Sequence, residues 1–319
     1  MDLEGRVDPE YLPMVATMTA TDSFAADLPA ARKSQTEAMA KLSQASTSPD
    51  ITIFERNITA PEGHEFMVRI YTPNPRPEGL LPVMVWAHGG GYVVGHPVEH
   101  DNVAINFVRG ANCAVVSVDY RLAPENPYPA AIEDCYTAMQ WVAADPEGLG
   151  FDAGKIAVGG YSAGGGLGAA MALLARDRGG PKVVFQMPLC ACLDDRHLTP
   201  SAQEFTDGRV WSRSISENAW NFYLKGVDRE NTPPHAAPAR ETNLAGLAPA
   251  YFGIGELDLM RDENIDYASR LMQAGVSVEL HVFPGAFHGF DLLGFDKALG
   301  QRALAEYGVV LKRAFDNAK

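Results

Sequence analysis

The feature that most constrains the fold is one turn within residues 155–171, KIAVGGYSAGGGLGAAM. A short apolar run ends in Gly-Tyr-Ser-Ala-Gly, and a stretch of small residues that can coil into a helix follows at once. A buried strand that turns directly into a helix is the repeating unit of α/β proteins. A glycine-rich turn of this kind can cradle a phosphate, form a tight corner without chemistry, or expose a reactive serine.

Apolar runs alternate with helical patterns on both sides of this turn. Runs typical of buried strands cover residues 82–87, 113–120, 182–190, 249–255 and 277–283, and helical patterns cover 29–44, 129–144, 262–274 and 303–315. Two earlier segments, 51–60 and 66–73, alternate apolar and polar residues as antiparallel strands do. Buried strands that alternate with helices predict a mostly parallel central sheet with helices on both faces.

One segment, about residues 193–245, breaks this alternation. It is polar, contains prolines and carries the aromatic residues Phe205, Trp211, Trp220, Phe222 and Tyr223. An insertion at the carboxyl ends of parallel strands tends to cover a site. We therefore predict a single domain over residues 1–319, with a core of about 51–192 and 246–319 and an insertion that roofs the site.

Composition excludes several classes of partner. The formal net charge is −14, the wrong sign for a protein that binds nucleic acid or an anionic membrane surface. No window approaches the roughly 18 apolar residues of a transmembrane helix, and the first residues, MDLEGRVDPEYLPM, lack the apolar region of a signal peptide. We therefore expect a cytoplasmic protein without nucleic-acid or membrane partners. The cysteines, Cys113, Cys135, Cys190 and Cys192, are too few for a disulfide framework and are expected to be buried free thiols.

The phosphate interpretation of the turn lacks its partner residues. Residues 164–169 match the dinucleotide pattern G-x-G-x-x-A between a strand and a helix. That pattern requires an acidic residue about 20 positions later, where this chain has Val183, Val184 and Phe185. A Walker loop requires Gly-Lys-Ser/Thr, which the turn also lacks. The pattern G-x-S-x-G alone is equally compatible with a tight turn whose small residues serve close packing.

The third interpretation, a nucleophile elbow centred on Ser162, makes three further demands. A donor loop must follow an earlier strand, and residues 88–91, His-Gly-Gly-Gly, do so. An acid must follow a later strand, and residues 255–258, Gly-Glu-Leu-Asp, stand just past the run at 249–255. A histidine must follow the last strand, as His288 does. Because all three demands are met together, we predict a catalytic triad of Ser162, His288 and an acid from the segment 255–258, which the family resemblance described below assigns to Asp258.

The turn and the donor loop also predict an oxyanion hole. We expect the flanking glycines of the elbow to permit the strained turn that presents the serine hydroxyl. Glycines in the donor loop let backbone N–H groups approach a reacting oxygen, and the helix after Ser162 adds its dipole. The predicted donors are the N–H groups of Gly90, Gly91 and Ala163. This chemistry requires no cofactor and no metal.

These motifs resemble those of the hormone-sensitive-lipase-like family IV esterases of bacteria, within the α/β-hydrolase superfamily. The resemblance rests on HGGGYVVG (88–95), DYRLAPE (119–125), GYSAGG (160–165), ELD-x-x-RDE (256–263) and FHGF (287–290). It implies an α/β-hydrolase fold with a helical cap from about residues 1–50 and 193–245. It also implies a serine carboxylesterase for small-molecule esters of short to medium acyl chain, able to form a homodimer. Tyr161, where that family often has Asp or Thr, and Leu259, where Pro is usual, depart from the pattern.

Other residues near these positions compete for the same roles. Glu256, Asp262 and Glu263 lie close to the acid position, but Asp258 is the residue that matches the family's acid. The remaining candidates are expected to be structural: His281 within a strand, His88, His96 and His100 in loops, and Arg121 and Glu125 as scaffold charges.

Two other functions stay open. The same triad can hydrolyse an amide, formamide or carbamate, and kinetics on matched ester and amide substrates would separate these activities. A catalytically idle ligand-binding receptor on the same fold is the second alternative. Loss of the base would favour that receptor, whereas His288 is present.

Overall fold

A single eight-stranded sheet runs through the computed structural model, which describes residues 2–18, 27–34, 37, 48–145 and 147–318. The strands are β1 (Ile51–Thr59), β2 (Glu65–Pro73), β3 (Leu81–Ala87), β4 (Ala114–Val118), β5 (Phe151–Tyr161), β6 (Val183–Leu189), β7 (Ala250–Leu257) and β8 (Val278–Phe287). Their order is β1-β2-β4-β3-β5-β6-β7-β8. The pairings β1–β2 and β2–β4 are antiparallel and all the others are parallel. The predicted mostly parallel sheet is confirmed.

The residue pattern of each strand matches its place in the sheet. β1 lies at one end and exposes alternate polar side chains, because only one of its faces is covered. β4 lies inside the sheet, and all five of its residues are buried. The apolar core therefore lies on both faces of the inner strands.

The described helices pack around this sheet. They are α1 (Leu12–Thr17), α2 (28–34), α3 (Asp101–Ala111), α4 (Ala130–Ala144), α5 (Ala163–Arg178), α6 (Pro200–Glu204), α7 (Arg213–Tyr223), α8 (Arg261–Gln273), α9 (Phe290–Leu293) and α10 (Ala298–Asn317). Among the helices in these ranges, none combines the length and the apolarity that a bilayer crossing needs. The part of the expected 29–44 helix beyond residue 34 lies, apart from Glu37, outside the described residues.

The strand order places the helices on two faces. A crossover between parallel strands is right-handed in nearly all proteins. The step from β3 to β4 runs one way along the sheet and puts α3 on one face, where α10 packs against it. The steps from β4 to β5, β5 to β6 and β7 to β8 run the other way and put α4, α5 and α8 on the opposite face. The elements that leave the carboxyl ends of these strands consequently converge at one edge.

Two strands extend beyond the segments that the sequence predicts. β5 begins at Phe151 rather than Lys155, because Phe151 pairs with Leu81 across an irregularity in the register. β8 continues through Pro284 and Gly285 to Phe287. It lies at the end of the sheet, where a proline without an N–H donor is tolerated.

The insertion consists of α6, α7 and a 3₁₀ turn at Pro238–Arg240, joined by irregular chain. Its aromatic residues Phe205, Trp220 and Tyr223 are buried in the core. Near its start, buried Asp195 accepts hydrogen bonds from Arg240, at 2.8 and 2.9 Å, and from Arg229 at 3.3 Å. These bonds tie the first and last parts of the insertion together.

The four cysteines are free and buried, as predicted. Burial raises the pKa of each thiol above its ordinary value, so all four are neutral at pH 7.

Candidate active site

Ser162 stands at the sharp turn between β5 and α5, with φ 59° and ψ −118°. The strain lies in Ser162 itself, whereas the glycines around it serve close approach. A Cβ on Gly160 would lie 2.0 Å from the Gly164 carbonyl oxygen, and one on Gly164 would lie 2.0 Å from the Ala87 carbonyl oxygen. The flanking glycines are needed at this turn because β3 and α5 pass too close to them for a side chain.

The glycine-rich stretch that suggested a phosphate site lies inside the protein. Residues 164–169 form the first turns of α5 and are all buried. A Cβ on Gly165 would meet Leu189 and Ala191 within 3 Å. The stretch packs a helix tightly against the sheet and leaves no room for a phosphate.

Three side chains from distant parts of the chain meet at this turn. His288 directly follows β8, and its Nε2 lies 2.9 Å from Ser162 Oγ. Its Nδ1 lies 2.7 Å from Oδ2 of Asp258, which directly follows β7. The other carboxylate oxygen of Asp258 accepts the Met260 N–H at 2.9 Å. Asp258 is fully buried and the His288 side chain is 9% exposed, so the contacts lie in a medium of low dielectric.

The neighbouring carboxyl groups face elsewhere. Glu256 accepts the Gly285 N–H at 3.0 Å, and Asp262 accepts the Ser201 N–H at 2.7 Å. Glu263 is buried and accepts the Leu193 N–H at 2.7 Å. Burial raises the pKa of Glu263 well above its ordinary value.

The predicted oxyanion donors lie on two loops beside Ser162. Gly90 and Gly91 have φ values of 111° and 60°, and a Cβ on Gly90 would lie 2.0 Å from the Val94 carbonyl oxygen. Ala163 is the first residue of α5, where an N–H has no partner within the helix. Across the described chain, the N–H groups of Gly90, Gly91 and Ala163 donate to no protein acceptor. They are therefore free to bind a developing negative charge.

Two histidines shape the donor loop. His88 donates through Nδ1 to the Gly89 carbonyl oxygen at 2.7 Å and stacks on Tyr120 with 4.2 Å between ring centroids. This agrees with the structural role expected of His88 within its loop. Burial lowers the pKa of His88 to about 3, so the ring is neutral.

His100 is the residue that sequence reasoning underestimated. It is buried against the site rather than confined to its own loop, and burial lowers its pKa to about 3. Its Nε2 lies 3.2 Å from the Gly89 N–H, and its Nδ1 lies 3.2 Å from the Trp86 indole N–H. Both neighbours are donors, and a neutral imidazole has a single acceptor nitrogen, so it satisfies one of them at a time. No local signal in the sequence marks this contact.

A cavity of about 880 Å³ opens over Ser162 and His288. Three segments supply much of its wall. They are α2 and the residue before it (Asp27, Ala30, Ala31 and Ser34), the insertion (Arg209, Val210, Trp211 and Ile215) and α9 (Leu292 and Leu293). The Trp211 ring centroid lies 5.7 Å from that of His288. Of the aromatics in the insertion, Trp211 is the one that lines the cavity, while Phe205, Trp220 and Tyr223 pack in the core.

Two contacts hold the walls in place. Arg32 of α2 forms a bidentate pair with Glu125, with both distances 2.8 Å, and donates to the Val93 carbonyl oxygen at 3.0 Å. Tyr92, which directly follows the donor loop, stacks on Tyr223 of α7 with 3.9 Å between ring centroids. Glu125 therefore does more than serve as a scaffold charge, because it fastens a cavity wall.

The other predicted structural residues have local partners. His281 Nδ1 lies 2.8 Å from Glu306, and Arg121 pairs with buried Asp134 at 2.9 Å. Both contacts lie outside the cavity lining and agree with structural roles.

One group of potential metal ligands occurs within the described ranges. Atoms of Cys190, Asp258 and His288 lie within 4.8 Å of one another. Asp258 and His288 already hydrogen-bond each other, and burial raises the pKa of the Cys190 thiol well above its ordinary value. A neutral thiol is a poor metal ligand, so this group fits the serine site better than a metal centre.

Comparison with known proteins assigns the family. A family model described as alpha/beta hydrolase fold matches residues 84–292. Esterase LipI of Mycobacterium tuberculosis is 41% identical over 244 residues, 76% of each chain. Carboxylesterase NlhH of the same species is 39% identical over 284 residues, 87% of this chain and 88% of that one. Among solved structures, a bacterial heroin esterase is 39% identical, with a TM-score of 0.91 over 98% of both chains. The chain belongs to the α/β-hydrolase superfamily, in its hormone-sensitive-lipase-like group of esterases.

Proposed function

We propose that this protein is a serine carboxylesterase in which Ser162, His288 and Asp258 form the catalytic triad. The observation that carries the proposal is the pair of contacts through His288, 2.9 Å to Ser162 Oγ and 2.7 Å to Asp258 Oδ2. A serine hydroxyl becomes a nucleophile when a neighbouring base can take its proton and a third group orients that base. The similarity to an esterase and a carboxylesterase supports ester hydrolysis as the activity.

The reaction proceeds in two halves. In the first, Ser162 Oγ attacks the ester carbonyl carbon while His288 Nε2 takes its proton, and Asp258 stabilises the resulting imidazolium. The oxyanion accepts hydrogen bonds from the N–H groups of Gly90, Gly91 and Ala163. His288 then gives the proton to the leaving alkoxide oxygen, and the alcohol departs from an acyl-enzyme. In the second half, His288 deprotonates a water that attacks the acyl carbon, and the carboxylic acid leaves as Ser162 regains its proton.

The cavity supports small esters with short to medium acyl chains. Its volume of about 880 Å³ lies within the range of roughly 300–1,000 Å³ for small-molecule sites. Val94, Val210, Trp211 and Leu292 give it an apolar wall that suits an alkyl chain.

We include the cap in this proposal. Residues from α2 and from the insertion line the cavity above Ser162, which supports a cap built from about residues 1–50 and 193–245. A homodimer, which the resemblance implies, is part of the same proposal. Sedimentation velocity over a hundredfold range of concentration tests it.

A panel of 4-nitrophenyl esters from acetyl to palmitoyl tests the activity, with and without a serine-directed organophosphonate. We expect rates to peak at short to medium chains, inhibition to be complete, and mass spectrometry to place one adduct on Ser162. Ser162→Ala should lose nearly all turnover and all labelling while its thermal unfolding stays cooperative. Ser269→Ala in α8 is the matched control and should behave like the parent. Ester hydrolysis that persists in purified Ser162→Ala would overturn the proposal, and matched ester and anilide substrates separate an esterase from an amidase.

A further inference from the structure

A second buried carboxylate lies close to His288 and has no part in the triad. Asp291 is in the first turn of α9, three residues after His288, and is 1% exposed. One of its oxygens accepts the hydroxyl of Tyr161, and the other accepts the hydroxyl of Tyr307 at 2.7 Å. Two tyrosines from different elements thus converge on one carboxyl group inside the protein.

The two donors fit an ionised carboxylate. A protonated Asp291 would donate to one tyrosine oxygen, and that tyrosine would then need another acceptor for its own hydrogen. Within the described chain no second acceptor bonds the Tyr307 hydroxyl, and the one near Tyr161 is the thiol of Cys190, a weak acceptor. Burial raises the pKa of Asp291, while the hydroxyls of Tyr161 and Tyr307 and the charge on His288 oppose that rise. The two hydroxyl donors therefore favour the ionised form of a carboxyl group that is buried inside the protein.

The hydrogen bonds to Asp291 connect the two segments of chain that carry Ser162 and His288. Tyr161 is the last residue of β5 and directly precedes Ser162, and its ring centroid lies 6.2 Å from that of His288. Its bond to Asp291 joins the nucleophile elbow to the segment that carries His288. Tyr307 of α10 supports the same carboxylate from a different element. Tyr161 is also the residue that departs from the family's usual Asp or Thr.

We propose that Asp291, held by Tyr161 and Tyr307, is a positioning residue that fixes the His288 loop against the elbow and stabilises the imidazolium formed during ester hydrolysis. The inference rests on the proposed function, because the imidazolium exists only when His288 has taken the serine proton. A negative charge near an imidazolium in a buried site favours the charged form of the ring.

Several titratable groups of the described residues surround this pair. Those that contact or interact with His288 are Ser162, Asp258, Cys190, Tyr161 and Asp291. Asp27, Glu99, Arg209 and neutral His100 line the same cavity as His288. Those that interact with Asp291 are Tyr161, Tyr307, His288, Tyr11, Tyr251 and Cys190. Replacing Asp291 by asparagine changes one of these charges and leaves the others in place.

Asp291→Asn tests the proposal, since it keeps the shape of the side chain and removes its charge. We expect kcat to fall about tenfold and the acid limb of the kcat/KM profile to move about half to one pH unit lower, because His288 loses a negative neighbour. KM should stay within twofold. Tyr136→Phe is the control: it removes the hydroxyl of a buried tyrosine in α4 that does not line the cavity, and its pH profile should match the parent's.

A purely structural role for Asp291 would lower stability without moving the acid limb, and an unchanged profile with kcat within twofold would overturn the inference. Should Asp291→Asn fail to fold, Tyr161→Phe decides, because it removes one hydroxyl. It should lower kcat and the rate of Ser162 phosphonylation by the same factor of about five, and unchanged values for both would overturn the inference. The parent protein distinguishes the two failures: an inactive parent overturns the proposed function together with this inference, whereas an active parent with unaffected variants overturns this inference alone.

Discussion

Replacing Asp258 by asparagine probes the triad through a contact that an amide cannot reproduce. The carboxylate accepts two N–H groups, that of His288 Nδ1 at 2.7 Å and that of Met260 at 2.9 Å. An asparagine side chain offers one acceptor end and one donor end, whereas both neighbours donate. Either orientation of the amide therefore sets donor against donor at one of the two contacts.

The two orientations cost activity in different ways. If the amide oxygen stays on Met260, its NH₂ group faces His288 Nδ1, which must then accept. The imidazole proton moves to Nε2, 2.9 Å from Ser162 Oγ, where a base is needed. Such a tautomer reversal lowers kcat about 10⁴-fold in Ser-His-Asp enzymes, or about 5.4 kcal/mol. If the amide flips, the buried Met260 N–H loses its acceptor at about 1–3 kcal/mol, and the imidazolium still lacks the carboxylate charge.

We therefore expect Asp258→Asn to lower kcat/KM about 10³- to 10⁴-fold. The assay is initial-rate hydrolysis of 4-nitrophenyl butyrate, with thermal unfolding as a check that the variant is folded. Asp266→Asn, on the exposed side of α8 with a side chain 62% exposed, is the matched control and should stay within twofold of the parent. A fall of less than tenfold in a folded Asp258→Asn variant would refute this reasoning.

Three further predictions follow from other contacts. Gly164→Ala places a methyl group 2.0 Å from the Ala87 carbonyl oxygen and should destabilise the fold by about 3 kcal/mol or more, measured by urea unfolding; a smaller loss would mean that β3 and α5 can separate. Burial raises the pKa of Glu263, so the parent loses stability as pH rises from the ordinary carboxyl value toward the raised one. Glu263→Gln should accordingly melt at a higher temperature than the parent at about pH 8 and match it near pH 4, and a gap that grows toward acid pH would contradict this account. Arg32→Gln removes the bidentate pair with Glu125 and should raise KM about 5- to 30-fold with little change in kcat, whereas an unchanged KM would show that α2 does not shape the bound state.

The features that sequence predicts well are those fixed by chain order. Ser162, Asp258 and His288 each directly follow a strand, and the carboxyl ends of parallel strands share one edge of a sheet. Alternation of buried strands with helices is enough to infer that edge, and the motifs identify which side chains reach it. The order of strands and helices along the chain is thus largely enough to predict that these three side chains lie close together.

What sequence does not predict are contacts between distant residues that carry no motif. The pairing of Tyr161 with Asp291 spans 130 positions, and the contact of His100 with Gly89 joins a 3₁₀ turn at Pro97–His100 to the donor loop. Nothing in the local pattern distinguishes these side chains from ordinary core residues. The sequence also does not predict where β8 ends. Pro284 and Gly285 are typical of a turn, but the chain stays extended to Phe287, directly before His288.

The backbone conformation of Ser162 is needed for catalysis but lowers the stability of the fold. Its φ of 59° is a conformation that glycine adopts freely, whereas other residues give up about 1–3 kcal/mol to hold it. Selection for heat resistance alone would therefore favour glycine at position 162, which relieves the strain and removes the reactive hydroxyl. Any effort to evolve a hardier form of this enzyme must therefore screen each generation for turnover as well as survival.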